Sequence, residues 1–172
     1  ELSISLLSEV IKASKPNATT LQKLEKLTKS FSNSLNDVHD IKEDFILKWV
    51  FNLIENTVRT NFFAIDLDNN DPVVFKFNCD KLQIPEPRPY REIFLFSTDV
   101  EGIHIRFGKV ARGGIRWSSR EDYRNEVIGL SHTQKVKNVV IVPTGSKGGF
   151  IIKKDYTREE AADISKAQYM RY

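Results

Sequence analysis

The hydrophobic period of this 172-residue chain changes once, at the turn-rich segment DLDNNDP (66–72), and that change limits what the chain can fold into. Ahead of it, TTLQKLEKLTKSFSNSL sets Leu21, Leu24, Leu27, Phe31 and Leu35 three or four residues apart, one apolar stripe on a helix. Asp40 followed by Glu43 has the form of a capping box. Ile41, Phe45, Ile46, Trp49, Val50, Leu53, Ile54 and Val58 then continue at helical spacing. Large apolar side chains on one such stripe read as core or subunit packing rather than as a cofactor box.

Behind the turn the chemistry is that of strands. VVFKF (73–77) is β-branched and aromatic, EIFLFS is strand-like, and GIHIRFG alternates Ile103, Ile105 and Phe107 against His104 and Arg106. PEPRPYRE is a stiff connector, because each proline fixes its own φ and restricts its predecessor. SSREDYRNEVIGLSHTQ reads as a helix starting near Ser119, with Asp122 answering it across a capping box and Tyr123, Val127 and Leu130 facing inward. VVIV (139–142) is apolar at every position, as in a strand covered on both faces, and FII is a candidate for another. Thr157 with Glu160 forms a capping box that opens a last helix. The expected fold is α/β (α+β): a helical lead-in over 1–66, then over 67–172 a mixed sheet with flanking helices. The chain opens ELSISLL without an initiator methionine and closes inside a helical pattern, so an excerpt of a longer polypeptide is expected.

Composition excludes several classes. Apolar residues at 40% and charged residues at 28% are the balance of a soluble globular domain. No apolar run nears the ~20 residues of a membrane span, and there is no signal-peptide pattern. The single Cys79 excludes an internal disulfide and suits a reducing compartment, the cytoplasm. From Arg106 onward fourteen Lys/Arg face seven Asp/Glu, a basic half suited to an anionic ligand.

The stretch VPTGSKGGF (142–150) sets Lys147 among three glycines. It is not a Walker loop, because no hydroxyl follows the lysine and no glycine stands at the required distance before it. G-x-G-x-x-G and G-x-S-x-G are absent as well. His39, His104 and His132 share no ligand spacing with Cys79, so no metal site is expected. What remains is a set of cations: Arg112 and Arg116 in RGGIRW, Lys135 and Lys137 in KVK, and Lys147 in SKGG. A strand of about five residues spans roughly 17 Å, so Lys137 and Lys147 meet only if the chain turns back after Pro143. The glycines permit that return and let backbone approach a ligand. Clustered cations suit a dicarboxylate, and each lowers the pKa of its neighbour, which makes an amine usable as a base.

RTNFF, PRPYREIFLFS, VEGIHIRFGKVARGGIRWSSREDYRNEVIGL and QKVKNVVIVPTGSKGGF together resemble the large, bacterial-type NAD-specific glutamate dehydrogenases, over about 45–150. The resemblance implies part of a substrate-binding domain and an enzyme that converts L-glutamate and NAD⁺ to 2-oxoglutarate, ammonium and NADH. The wider superfamily carries K-G-G-[IL]-R, a lysine on the following helix, and P-x-G-G-x-K-G-G. That pattern implies Arg112, with Gly113 and Gly114, at the side-chain carboxylate and Lys137, with Lys135 as substitute, at the α-carboxylate. It makes Lys147, backed by Gly148 and Gly149, the catalytic amine. Arg112 stands where the smaller enzymes have lysine, and the loop before Lys147 is one residue shorter. The Rossmann domain that binds NAD is expected downstream, so the segment alone is expected to be inactive, with no cofactor-binding residue of its own. The parent is expected to be a cytoplasmic homo-oligomer with no membrane or nucleic-acid partner. Two other readings stay open: a nucleic-acid-binding module stacking bases on Trp117, Tyr123 and Phe150, and a non-catalytic assembly domain using the 41–58 stripe.

Overall fold

An aspartate at 40 starts the second helix by giving its carboxylate to two otherwise orphaned amides: Oδ1 accepts from Lys42 N at 2.8 Å and from Glu43 N at 3.0 Å. The computed structural model describes residues 18–66, 68–140 and 144–172. They divide into two units, one within 1–59 together with 81–83, the other within 60–80 together with 84–172.

The first unit holds α1 (Ala18–Leu35), α2 (Ile41–Glu55) and most of the strand β1 (Thr57–Thr60). Phe31 of α1 stacks on Phe51 of α2 with centroids 4.5 Å apart. The 41–58 stripe does not hold as one helix face. The helix ends at the Asn56 cap, which places Val58 in β1. Among the stripe residues Ile54 is buried, whereas Ile41, Phe45 and Ile46 are exposed.

The second unit is built on a sheet with the order β2-β3-β4-β6-β5: β2 (Val73–Asn78), β3 (Arg91–Phe96), β4 (Val100–Arg106), β5 (Ile115–Trp117) and β6 (Ser146–Ile152). All neighbours are antiparallel except β5 and β6, which pair in parallel with Ile115 opposite Gly148. The alternation expected around 103–107 holds. Ile103 and Ile105 join Tyr123 and Val127 of α3 (Tyr123–Lys137) on one face, with Phe107 packed against them. On the other face Leu95, Val100 and Phe150 form a second cluster with Tyr172. Phe150 lies 6.4 Å and 5.9 Å, ring to ring, from Tyr169 and Tyr172 at the end of α4 (Ala161–Arg171). Ion pairs tie the helices to the sheet. Arg124 of α3 grips Glu92 of β3 with two bonds of 2.8 and 2.7 Å, and Arg171 reaches Asp99 in the β3–β4 turn at 3.1 Å.

Three sequence expectations are corrected here. The buried strand expected over VVIV is not found at its two described residues. Val139 and Val140 follow the Asn138 cap of α3 in a turn and are 58% and 94% exposed, and 141–142 lie outside the described residues. The strand is SKGGFII instead, so Lys147 sits within a strand and not in a loop. The Ser119–Asp122 capping box does not form. α3 begins at Tyr123, and Asp122 is drawn into a two-bond pair with Arg120 at 2.8 and 2.7 Å. The box of Thr157 and Glu160 does form, with Thr157 N donating to Glu160 Oε2 and Glu160 N to Thr157 Oγ1, one turn ahead of α4.

Phe150 is 1% exposed at the centre of the second cluster. Phe150→Ala is expected to lower the unfolding free energy by about 3–5 kcal/mol, read as a shift in the urea midpoint at unchanged slope.

Candidate active site

β6 lies between β4 and β5, and α3 rests directly on it. A Cβ at Gly145 would fall 1.9 Å from Ser131 O, and one at Gly149 would fall 2.4 Å from Val127 Cγ2. Gly145 and Gly149 therefore serve the close packing of helix on strand. Lys147 pairs with Ile105 of β4 and is half-buried.

The RGGIR segment comes to the same strand from the other side. Gly148 N donates to Gly114 O at 3.1 Å, and a Cβ at Gly113 would land 1.7 Å from Ser146 O. A Cβ at Gly114 would be 4.0 Å from Lys147 Nζ. Arg112, Gly113, Gly114, Lys147, Gly148 and Gly149 are thus one neighbourhood. Beside it opens a cleft of about 440 Å³ lined by Val110, Arg112, Gln134, Asn138, Thr144, Gly145 and Ser146.

The cations differ in what holds them. Arg116 is committed to Glu126 at 3.0 Å, and Glu126 also accepts from Ser118 Oγ at 2.8 Å. Arg120 is committed to Asp122. Arg112 lines the cleft, and among the described residues no carboxylate pairs with it. Lys135 is half-buried, its Nζ 5.6 Å from the Phe107 ring centroid, a cation–π contact. Lys137 is exposed at the last position of α3, and neither lysine is among the cleft-lining residues.

Gln134, Asn138, Thr144 and Ser146 are cleft residues that sequence reasoning did not single out. Gln134 of α3 and its cap residue Asn138 stand four apart, a spacing that puts them on one side of the helix end and was available as a signal. Gln134 Oε1 accepts from Ser146 N at 2.9 Å and so pins the start of β6.

Other chemistry is weaker. Burial, reinforced by Glu92, pushes the Cys79 thiol up to about 12, unsuited to a reactive thiolate. Among the described residues no group of three His, Cys, Asp or Glu is placed to hold a metal ion, and no helix is long and apolar enough to cross a membrane. Base stacking loses two of its three platforms, since Tyr123 and Phe150 are buried, and Trp117 is turned edge-on to Tyr156. A dinucleotide does not fit either. The β5–α3–β6 crossover is parallel, but its first turn, 118–122, contains no glycine for approach of a pyrophosphate and carries Glu121 and Asp122 at the helix start.

The family model for the catalytic domain of bacterial NAD-glutamate dehydrogenase matches residues 30–172. The chain is 48% identical over 133 residues to the NAD-specific glutamate dehydrogenase of Pseudomonas aeruginosa, 75% of this chain and 8% of that protein. It is 46% identical over 127 residues to the enzyme of the same name from Mycobacterium tuberculosis, 70% of this chain and 8% of that protein. With the Saccharomyces cerevisiae protein of that name identity is 29% over 174 residues, 88% of this chain and 15% of that protein. The chain therefore spans only a small part of the curated relatives it matches.

Gly113→Ala tests the close approach of the two motifs. Its methyl group would overlap the Ser146 carbonyl, so the RGG segment must lift from β6. The expected loss is about 1–3 kcal/mol, as for other overpacked sites. Thermal unfolding of Gly113→Ala beside Gly129→Ala, where a Cβ meets nothing within 4 Å, separates this overlap from the general effect of removing a glycine.

Proposed function

Because this chain belongs to the bacterial NAD-glutamate dehydrogenase catalytic-domain family, we propose that it forms the substrate-holding part of an enzyme that oxidatively deaminates L-glutamate to 2-oxoglutarate and ammonium with NAD⁺. The observation that carries this reading is the meeting of two distant motifs: the Arg112–Gly113–Gly114 backbone lies against Ser146–Lys147, with a cleft beside them.

In this reading the Arg112 guanidinium receives the side-chain carboxylate. It lines the cleft, and a planar fork binds a carboxylate with two parallel bonds where lysine offers a point charge. The α-carboxylate falls to a cation at the C-terminal end of α3, Lys137 or Lys135, of which Lys135 is the less exposed. Lys147 Nζ is the amine that moves a proton to and from the water that attacks Cα. Nicotinamide supplies the hydride acceptor, and the residues that hold it belong to another domain of the polypeptide. Cytoplasmic location and homo-oligomeric assembly of the parent complete the proposal.

Two measurements on the parent enzyme test it. Lys147→Ala is expected to lower kcat by about 10²–10⁴-fold, the usual range for losing a general acid–base group. Near-normal kcat in a folded variant would remove Lys147 from the chemistry. Arg112→Ala is expected to raise KM for glutamate about ten- to two-hundred-fold, the equivalent of one charge-assisted bond, with KM for NAD⁺ unchanged and only partial recovery in Arg112→Lys.

A further inference from the structure

We propose that His104, oriented by Arg106, is a positioning residue for Lys147 that acts through the Ser146 hydroxyl from the sheet face opposite α3; this rests on the role proposed for Lys147. On β4, His104 and Arg106 point away from the α3 face that Ile103 and Ile105 occupy. The β4–β6 register sets Arg106 opposite Ser146 and His104 opposite Gly148, the two residues that flank Lys147.

The hydrogen bonds run in one direction. Arg106 Nε donates to His104 Nδ1 at 3.3 Å. A ring nitrogen that accepts carries no proton, so the proton of the neutral ring is on Nε2. Nε2 faces Ser146 Oγ at 3.4 Å, and it is the donor there. Burial, then the Arg106 charge, lowers the His104 pKa to about 4, which keeps the ring neutral and Nδ1 free to accept. The other groups around the ring, Val74, Ile93, Leu95 and Tyr172, line a cavity of about 210 Å³ with it, and the Tyr172 hydroxyl is already spent on Ile103 O.

His104 also crowds the residue on the far side of Lys147, where a side chain larger than glycine's would press on the ring: its Cδ2 is 3.1 Å from where a Cβ at Gly148 would stand. Ser146 is 1% exposed. It is held from the α3 side by Gln134 through its amide and from the rear by His104 through its hydroxyl. The backbone that bears the amine is thus fixed on both faces of the sheet. Displacement of a reacting group by about 1 Å is enough to cost up to about 10²-fold in rate.

The test uses the parent enzyme with Ser146→Ala, His104→Phe and His104→Gln. Ser146→Ala and His104→Phe are expected to lower kcat for glutamate by about tenfold, with KM for NAD⁺ unchanged. His104→Gln, whose amide returns an N–H near the place of Nε2, is expected to stay within about threefold of wild type. An independent readout is the rate at which acetic anhydride acylates Lys147, measured by peptide mass against the exposed Lys109. That ratio is expected to change in the first two variants and to return in the third. The proposal is overturned if Ser146→Ala keeps both kcat and the acylation ratio within about twofold of wild type, the size of a hydrogen bond with no consequence. It is also overturned if the losses follow the fall in melting temperature and are not restored by glutamine. Should His104→Phe fail to fold, Ser146→Ala and His104→Gln decide. A parent without glutamate turnover would sink the proposed function, while the acylation ratios would still decide whether His104 positions Lys147.

Discussion

The contact on which this structure depends is the approach of α3 to β6 at backbone distance. With Ser131 O only 1.9 Å from the place of a Gly145 Cβ, no larger residue fits without separating helix and strand. That proximity brings Gln134 within 2.9 Å of the Ser146 amide, lets Val127 pack over Gly149, and aligns Arg124 for its two bonds to Glu92. The first hydrophobic cluster, the entry of β6 and the wall of the cleft therefore share one origin. Breaking the Arg124–Glu92 pair would leave a carboxylate buried without its partner, the costly half of any buried ion pair.

The second approach, of Gly113 on Ser146, acts from the other edge of β6. It explains why the RGG segment and Lys147 of SKGG fall in one neighbourhood. It also explains why Arg112 and Arg116, four residues apart, take different roles. Arg116 is inside β5, where Glu126 of α3 reaches it, whereas Arg112 precedes the glycines and lines the cleft.

Much of the sheet was legible because alternation is a direct imprint of a two-sided strand. Ile103 and Ile105 against His104 and Arg106 gave β4 and its faces correctly, and VVFKF and EIFLFS gave β2 and β3. β6 was hidden for a physical reason. Glycine carries little β propensity, so SKGG has the signature of a turn, while the neighbouring VVIV has that of a buried strand. The apolar residues Val139 and Val140 follow a helix end and are exposed, so the apolar run gave no guide to pairing. The set Arg112, Gly113, Gly114 and Lys147 was visible through its resemblance to a family motif. Ser146 and His104 were not, because a serine and a histidine acquire meaning only through the register that sets them side by side.

That Lys147 belongs to an inner strand has a mechanical consequence. The strand that carries it has a hydrogen-bonded partner strand on each side, so the amine searches space chiefly with its own four methylenes. A lysine on a loop could travel to meet its substrate and retreat again. Under the role proposed for Lys147 the traffic would run the other way: substrate would be carried to a stationary amine, with the sheet as the anvil on which other elements close.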